Sequence, residues 1–231
     1  MKVTFAGSLA NEEMGVPGVS PYLAFGKTYG KMTGMPVGLI QTSLGGSPME
    51  RWNPKDGDLY LNMLDKIHQT GGKYAGVLWY QGCSDTNPGP AEKYLEHFRE
   101  YVEATRKELG YEIPFFTMQL NRQINGINDE CWGMVRDAQA RAAKEIPGVS
   151  VLTTSNLSLC DGIHNTAQAN VALGEKLAKQ CAHVLNGKEE YQPPELVKVE
   201  RADEAERKSF QLEGSGIWLK LTCDHVKNCF L

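Results

Sequence analysis

The 231-residue sequence predicts an α/β protein: a parallel sheet covered by helices on both faces, with a short C-terminal β appendage. Three observations predict it. Short apolar, β-prone runs recur at residues 36–42, 74–80, 114–120 and 149–154, each ending abruptly in polar residues. Helical stretches with apolar residues on one side separate these runs. Gly and Pro punctuate the junctions. Right-handed crossovers bring the C-terminal ends of parallel strands to one rim, where open α/β sheets bind ligands. Gly45-Gly46, Gln81-Gly82, residues 119–121 and Asp161 with His164 are therefore expected around one crevice.

Residues 2–6 form a short β-prone run, followed by Gly7 and Ser8. Ser20 suits a helix N-cap with Pro21 at the first helical position, and Gly34 suits the stop. Leu23, Ala24, Tyr29 and Met32 are expected on the inner face of that helix. The run at 36–42 leads into a tight Gly-rich turn at 43–48. A helix over 58–69 would bury Leu61, Leu64 and Ile67 and end at Gly71-Gly72. The run at 74–80 breaks at Gln81-Gly82-Cys83-Ser84-Asp85. Residues 91–109 carry the clearest helical period, through Tyr94, Leu95, Phe98, Val102, Thr105 and Leu109, and Gly110 ends it. A polar loop at 121–130 precedes a helix over 132–145. The loop at 156–165 precedes a helix capped by Thr166, with Ala167, Val171, Leu177 and Ala178 available for its inner face. After Gly187 the character changes. Gln192-Pro193-Pro194 reads as a linker, and short strands are expected at 196–199, 209–213 and 217–222, with Gly214-Ser215-Gly216 as a turn. The domain division is thus 1–187 and 188–231.

A net charge of −4 offers no basic footprint, so nucleic acid is not an expected partner. No apolar run approaches the ~20 residues that span a bilayer, so no membrane is expected either. The first residues have no charged-then-apolar signal pattern, which makes the cytoplasm the default compartment. The six cysteines include no Cys-x-x-Cys and no zinc-finger spacing, so reduced thiols and no metal are expected. There is no Gly-x-Gly-x-x-Gly, and Gly45-Gly46 lacks the Lys and Ser/Thr of a phosphate grip.

Asp161-Gly162-Ile163-His164 is the leading candidate for chemistry. An Asp three residues before a His can accept the imidazole Nδ1 proton and turn Nε2 toward a nucleophile. The plain alternative is a loop Asp beside an ordinary surface His. Gly45 and Gly46 could donate backbone N–H groups to a developing oxyanion, or simply form a tight turn. Gln81 could aim its amide at the same point, or be a satisfied polar group at a strand end. Cys83 could supply a thiolate, although an inert thiol accounts for it as well. Trp52, Trp79, Tyr80 and Trp132 could stack on sugar faces, with core packing the simpler use of Trp79.

Several of these segments resemble one family. Residues 36–41 followed by Gly45-Gly46-Ser47-Pro48-Met49-Glu50-Arg51-Trp52 resemble the "PVGLI…GGTPIEAW" stretch of sialate O-acetylesterases and related plant and bacterial carbohydrate acetyl esterases. Residues 78–85 resemble their "WYQGES(N/D)", residues 135–139 their "REAQ", and Asp161-Gly162-Ile163-His164 their Asp-x-x-His block. Residues 174–178 resemble the following "LG.RLA" helix. The resemblance spans residues 18–185 in the family's order. It implies a flavodoxin-like three-layer α/β/α fold of the SGNH hydrolase type, an O-acetylated carbohydrate substrate, and no cofactor. It also implies a Ser nucleophile, His164 as base with Asp161 as its partner, and Gly46 as oxyanion donor with Gln81-Gly82 beside it.

Two departures accompany the resemblance. The family's nucleophile lies in a "GQSNM" block on the first strand, and this chain begins too late to hold it there. Residues 1–17 are then the tail of a longer beginning, or Phe5-Ala6-Gly7-Ser8-Leu9 is a shortened substitute similar to "FGDSL", with Ser8 as nucleophile. Cys83 stands where many members have Glu, leaving support of the His to Asp161. The residues after 188 resemble the opening of the accessory β region of larger members. The rival expectation is an incomplete or purely glycan-binding form of this fold. A missing central strand would expose sheet edges and favour a homo-oligomer.

Overall fold

In the computed structural model, residues 2–9, 19–187, 195–201, 203 and 219–224 are described. The first of two units, Met1–Lys188, contains a five-stranded sheet. Its strands are β1 (Lys2–Leu9), β2 (Gly38–Leu44), β3 (Tyr74–Trp79), β4 (Phe115–Met118) and β5 (Val149–Leu152), in the order β2-β1-β3-β4-β5. All four pairings are parallel. That is the flavodoxin-like order, in which the connections diverge between β1 and β3. Lys2–Leu9 is an inner strand, between β2 and β3. Ser8 thus lies within a strand, in register with Ser43, rather than after one. β1 pairs with β3 only as far as Phe5, while its pairing with β2 resumes at Ser8 after a register shift.

The helices are α1 (Pro21–Thr33), α2 (Asp58–Thr70), α3 (Pro90–Leu109), α4 (Asp129–Glu145) and α5 (Ala167–Asn186). Right-handed crossovers place α1 on one face and α2, α3 and α4 on the other, and α1 packs against α5. Their ends follow local chemistry. The Ser20 hydroxyl accepts a hydrogen bond from Tyr22 N at 3.2 Å, and the Thr166 hydroxyl from Ala169 N at 3.1 Å. Gly34, Gly110 and Gly187 close α1, α3 and α5 in the left-handed conformation. A 3₁₀ turn at Met49–Trp52 follows β2, and another at Cys83–Asp85 follows β3.

The core beneath α2, α3 and α4 is aromatic. Trp79 and Tyr101 are fully buried with ring centroids 4.5 Å apart, and Trp52 meets Trp79 edge-on at 5.1 Å. Trp132 is buried as well. Only Tyr80 of the four aromatic residues expected to face a sugar is partly accessible, so a Trp platform is not formed. The reason is area: each indole gains more by leaving water than by lining a wet crevice.

Three inner helix faces differ from expectation. On α1, Leu23 is exposed, and Pro21, Phe25 and Tyr29 are buried. On α2, Leu61 is half exposed, while Leu59, Tyr60, Met63 and Ile67 point inward. On α5, Val171 is exposed, and Ala169, Leu173 and Leu177 are buried. In each helix several residues could satisfy a 3.6-residue period, and the partner surface chose among them.

In the second unit, Glu189–Leu231, β6 (Glu195–Arg201) and β7 (Leu219–Asp224) pair antiparallel. The strand expected at 209–213 and the turn at 214–216 lie outside the described residues. Among the described residues no helix is long and apolar enough to cross a membrane.

Close approach of α1 to α5 depends on Gly174. A Cβ there would fall 2.0 Å from the Pro21 carbonyl oxygen and 2.9 Å from Phe25 N. Gly174→Ala should destabilise the chain by about 1–3 kcal/mol in urea unfolding, because backbone must move. Gly133→Ala, in α4 with open space around it, should instead stabilise by up to ~1 kcal/mol.

Candidate active site

The loop after β5 carries Asp161 and His164, the candidate acid–base pair. The Asp161 Oδ1 atom accepts from Ile163 N at 2.8 Å and from His164 N at 2.7 Å. Its Oδ2 atom lies 2.7 Å from His164 Nδ1. This carboxylate closes its own turn and holds the imidazole that follows. The N–H groups of His164 and Ile163, then the imidazole, hold the Asp161 carboxyl down to about 2. An ionised carboxylate only accepts, so Nδ1 is the donor and Nε2 is left as the basic nitrogen. Nε2 has no partner among the described residues. Cys160 N donates to the His164 carbonyl at 2.9 Å and closes the base of the turn.

Asn165 ties this turn to the rest of the rim. Its Oδ1 accepts from Asn121 Nδ2 at 2.7 Å. Its Nδ2 donates to the Tyr80 hydroxyl at 3.3 Å and to Asn170 Oδ1 at 3.2 Å. One side chain therefore joins the ends of β3 and β4 to the first turn of α5. Burial pushes the Tyr80 phenol up to about 12, so it stays a neutral hydroxyl. Asn121 is buried, and Trp132 Nε1 donates to its carbonyl at 2.8 Å. None of Asn165, Asn170 and Asn121 was singled out individually as a support. Their side-chain type alone carries no signal, and the network exists only once three loops meet.

Gln81 takes the second of its two expected uses, a polar group engaged at the end of a strand. Its amide nitrogen donates to the Ser47 carbonyl at 2.8 Å and to Asp85 Oδ2 at 2.5 Å. Both N–H bonds are thus engaged, and the side chain anchors the Gly45-Gly46-Ser47 turn instead of facing a substrate carbonyl. Asp85 is buried and accepts from Met49 N through both oxygens, at 3.0 and 3.1 Å. Burial pushes its carboxyl up, against the lowering by Gln81 and Met49 N. The Ser47 hydroxyl completes the lock by donating to the Leu44 carbonyl at 2.8 Å and accepting from Trp52 Nε1 at 3.0 Å.

Gly46 and Gly82 present backbone N–H groups at this rim. Gly46 has φ 67° and Gly82 has φ 141°, conformations open chiefly to glycine. Neither N–H has an acceptor among the described residues. Gly82 is also pressed from behind: a Cβ would sit 3.0 Å from both Gln139 Nε2 and Val135 Cγ1. Gln139 Nε2 donates to the Gln81 carbonyl at 2.9 Å, and its Oε1 accepts from Leu120 N at 2.8 Å. The "REAQ"-like segment thereby holds the Gln81-Gly82 backbone in place.

Cys83 is mostly buried, and burial pushes its thiol up to about 11, which disfavours the thiolate reading. The backbone of Ser8 ends one residue before β1 does. Among the described residues no three His, Cys, Asp or Glu side chains gather as a metal site.

The Asp161 carboxyl makes a pH prediction. Its native pKa is depressed, so its contribution to the turn is fully present above the ordinary carboxylate range of ~4. That contribution is lost as pH falls through about 2. The carboxyl carbon of Asp161, followed by NMR, should titrate near about 2. Titration near ~4 would mean that the turn does not hold this carboxylate.

Comparison with known proteins places the chain. A probable carbohydrate esterase of Arabidopsis thaliana is 28% identical over 173 residues, covering 71% of this chain and 64% of that protein. The chain thus spans a little under two thirds of that relative's length. The solved structure of an Arabidopsis thaliana protein superposes with TM-score 0.67 at 26% identity, covering 74% of this chain and 72% of the other. A carbohydrate acetylesterase from Xanthomonas citri superposes with TM-score 0.67 at 25% identity, over 78% of this chain and 44% of the other. An acetyl xylan esterase, at 16% identity and TM-score 0.56, shares the fold. The flavodoxin-like sheet flanked by helices is that of the SGNH hydrolases. The sequence model described as carbohydrate esterase, sialic acid-specific acetylesterase matches residues 6–183, and the chain belongs to that family.

Proposed function

We propose that this chain is a carbohydrate O-acetyl esterase that releases acetate from O-acetylated sugars by Ser-His-Asp chemistry. The observation that carries the reading is the 2.7 Å contact between His164 Nδ1 and an Asp161 carboxylate held ionised by two backbone N–H groups. His164 Nε2 takes the proton of a serine hydroxyl as its oxygen attacks the acetyl carbonyl carbon. The N–H groups of Gly46 and Gly82 hold the oxyanion, and the Gln81 amide keeps the Gly46 turn in place from beneath. The C–O bond to the sugar breaks, and the sugar oxygen takes the proton back from His164. Water, activated by the same imidazole, then frees acetate from the acyl-serine. Ser8 is the serine assigned, because its backbone lies near the end of β1, where the connections of the sheet diverge. Residues 1–187 carry this chemistry, and 188–231 form a linker and β-rich accessory segment.

Acetate release should be measured from 4-nitrophenyl acetate and from O-acetylated sialic acid and xylose. His164→Ala and Ser8→Ala should each lower kcat by about 10³-fold or more, and Asp161→Asn by a similar order. Loss with His164→Ala but not with Ser8→Ala would remove Ser8 from the mechanism. No release above buffer by the unaltered chain would overturn the esterase reading and leave a glycan-binding form of the fold.

A further inference from the structure

The acid–base turn has a glycine between its two reacting groups, and the reason is room. Gly162 has no left-handed φ, so its torsion does not demand glycine. A Cβ there would fall 1.4 Å from Asn125 Oδ1, 2.1 Å from its Cγ and 2.3 Å from its Nδ2. The Asn125 amide lies over Gly162 in the space a Cβ would take, and because Asn125 is exposed, a larger residue at 162 would have to turn that amide aside. The same loop makes a second contact with the turn: Ile124 N donates to the Gly162 carbonyl at 3.0 Å.

This loop, residues 122–128, is braced apart from the turn. Arg122 donates to the carbonyls of Ser155 at 2.6 Å and Leu157 at 2.9 Å. Gln123 Nε2 donates to the Ile127 carbonyl at 2.7 Å and also to Asp129 Oδ1. Asn128 Nδ2 donates to Asn87 Oδ1 at 3.0 Å. Gly126 and Asn128 take left-handed conformations that fold the loop back on itself. A loop held at both ends and resting on Gly162 adds a restraint from outside to a turn that Asp161 Oδ1 already closes on Ile163 N and His164 N.

We infer that residues 122–128 form a clamp on the acid–base turn, with Asn125 a positioning residue that acts on the Asp161–His164 pair through Gly162. The inference rests on the esterase reading for its catalytic consequence, but not for its structural one. Asn125 itself need not touch substrate. Its effect is to limit the motion of the carboxylate that orients the imidazole, and a displacement of ~1 Å at such a pair is enough to cost about 10²-fold in rate.

The test uses the full chain and three variants: Gly162→Ala, Asn125→Gly and the two combined. The first readout is the His164 Nδ1–H proton resonance and its exchange with water, which requires no turnover. The second is acetate release from 4-nitrophenyl acetate. Gly162→Ala should shift or broaden the resonance and lower kcat about tenfold or more, with KM changed less. The combined variant should recover both, because removing the Asn125 side chain makes room for the new methyl. Asn125→Gly alone should speed exchange of the Nδ1 proton. An unchanged resonance in Gly162→Ala, or a combined variant as impaired as the single one, would overturn the clamp. Should Gly162→Ala fail to fold, Asn125→Gly decides, and unchanged proton exchange there would overturn it. A resonance that responds as expected in a chain releasing no acetate would retain the clamp and remove the esterase reading.

Discussion

The packing of Trp79 at the end of β3 is the contact on which the rest of the first unit depends. Its indole is fully buried among Trp52, Phe98 and Tyr101, and the next residue begins the polar rim. Burying a ring of this size contributes on the order of 2–3 kcal/mol, and edge-on contacts add to that. Because the ring cannot move without opening the core, the backbone from Tyr80 to Asp85 leaves the sheet in one place. Gln81 then reaches the turn after β2, and Tyr80 reaches Asn165 beside the acid–base turn. A hydrophobic contact below thus sets the geometry of polar groups above.

Two carboxylates near this rim show how surroundings divide the work. Asp85 is buried, and desolvation raises its pKa although Gln81 and Met49 N bind it. Asp161 is exposed, and three hydrogen bonds lower its pKa instead. Asp85 is spent on tying the β2 turn to the β3 end. Asp161 keeps its charge while facing solvent and holds the His164 imidazole at Nδ1.

Local chemistry was legible where it is short-ranged. Ser20, Pro21 and Thr166 start helices, and Gly34, Gly110 and Gly187 end them, because capping involves only neighbouring residues. The same was true of the Asp161–His164 pair, whose partners are three residues apart. Inner helix faces were less legible. Leu23, Leu61 and Val171 are apolar yet exposed, since Phe25, Met63 and Leu173 compete for the same faces and fit the facing surfaces. Gln81 illustrates a third case. Its residue type permitted an oxyanion donor, but Ser47 and Asp85 lie 34 and 4 residues away and claim both of its N–H groups.

By itself the sequence determined the α/β alternation, the convergence of strand ends at one rim, and the pairing of Asp161 with His164. Each of these follows from period, capping chemistry or the handedness of crossovers, which act over short stretches of chain. Only the tertiary structure decided the strand order, with Lys2–Leu9 between β2 and β3. It alone also decided that Trp52 and Trp132 serve the core, that Asn165 joins three loops, and that Asn125 fills the space above Gly162. The Asn125–Gly162 and Tyr80–Asn165 contacts join residues 37 and 85 positions apart, and a one-dimensional pattern holds no distance between such residues. Close packing supplies that distance, because two side chains cannot share one volume.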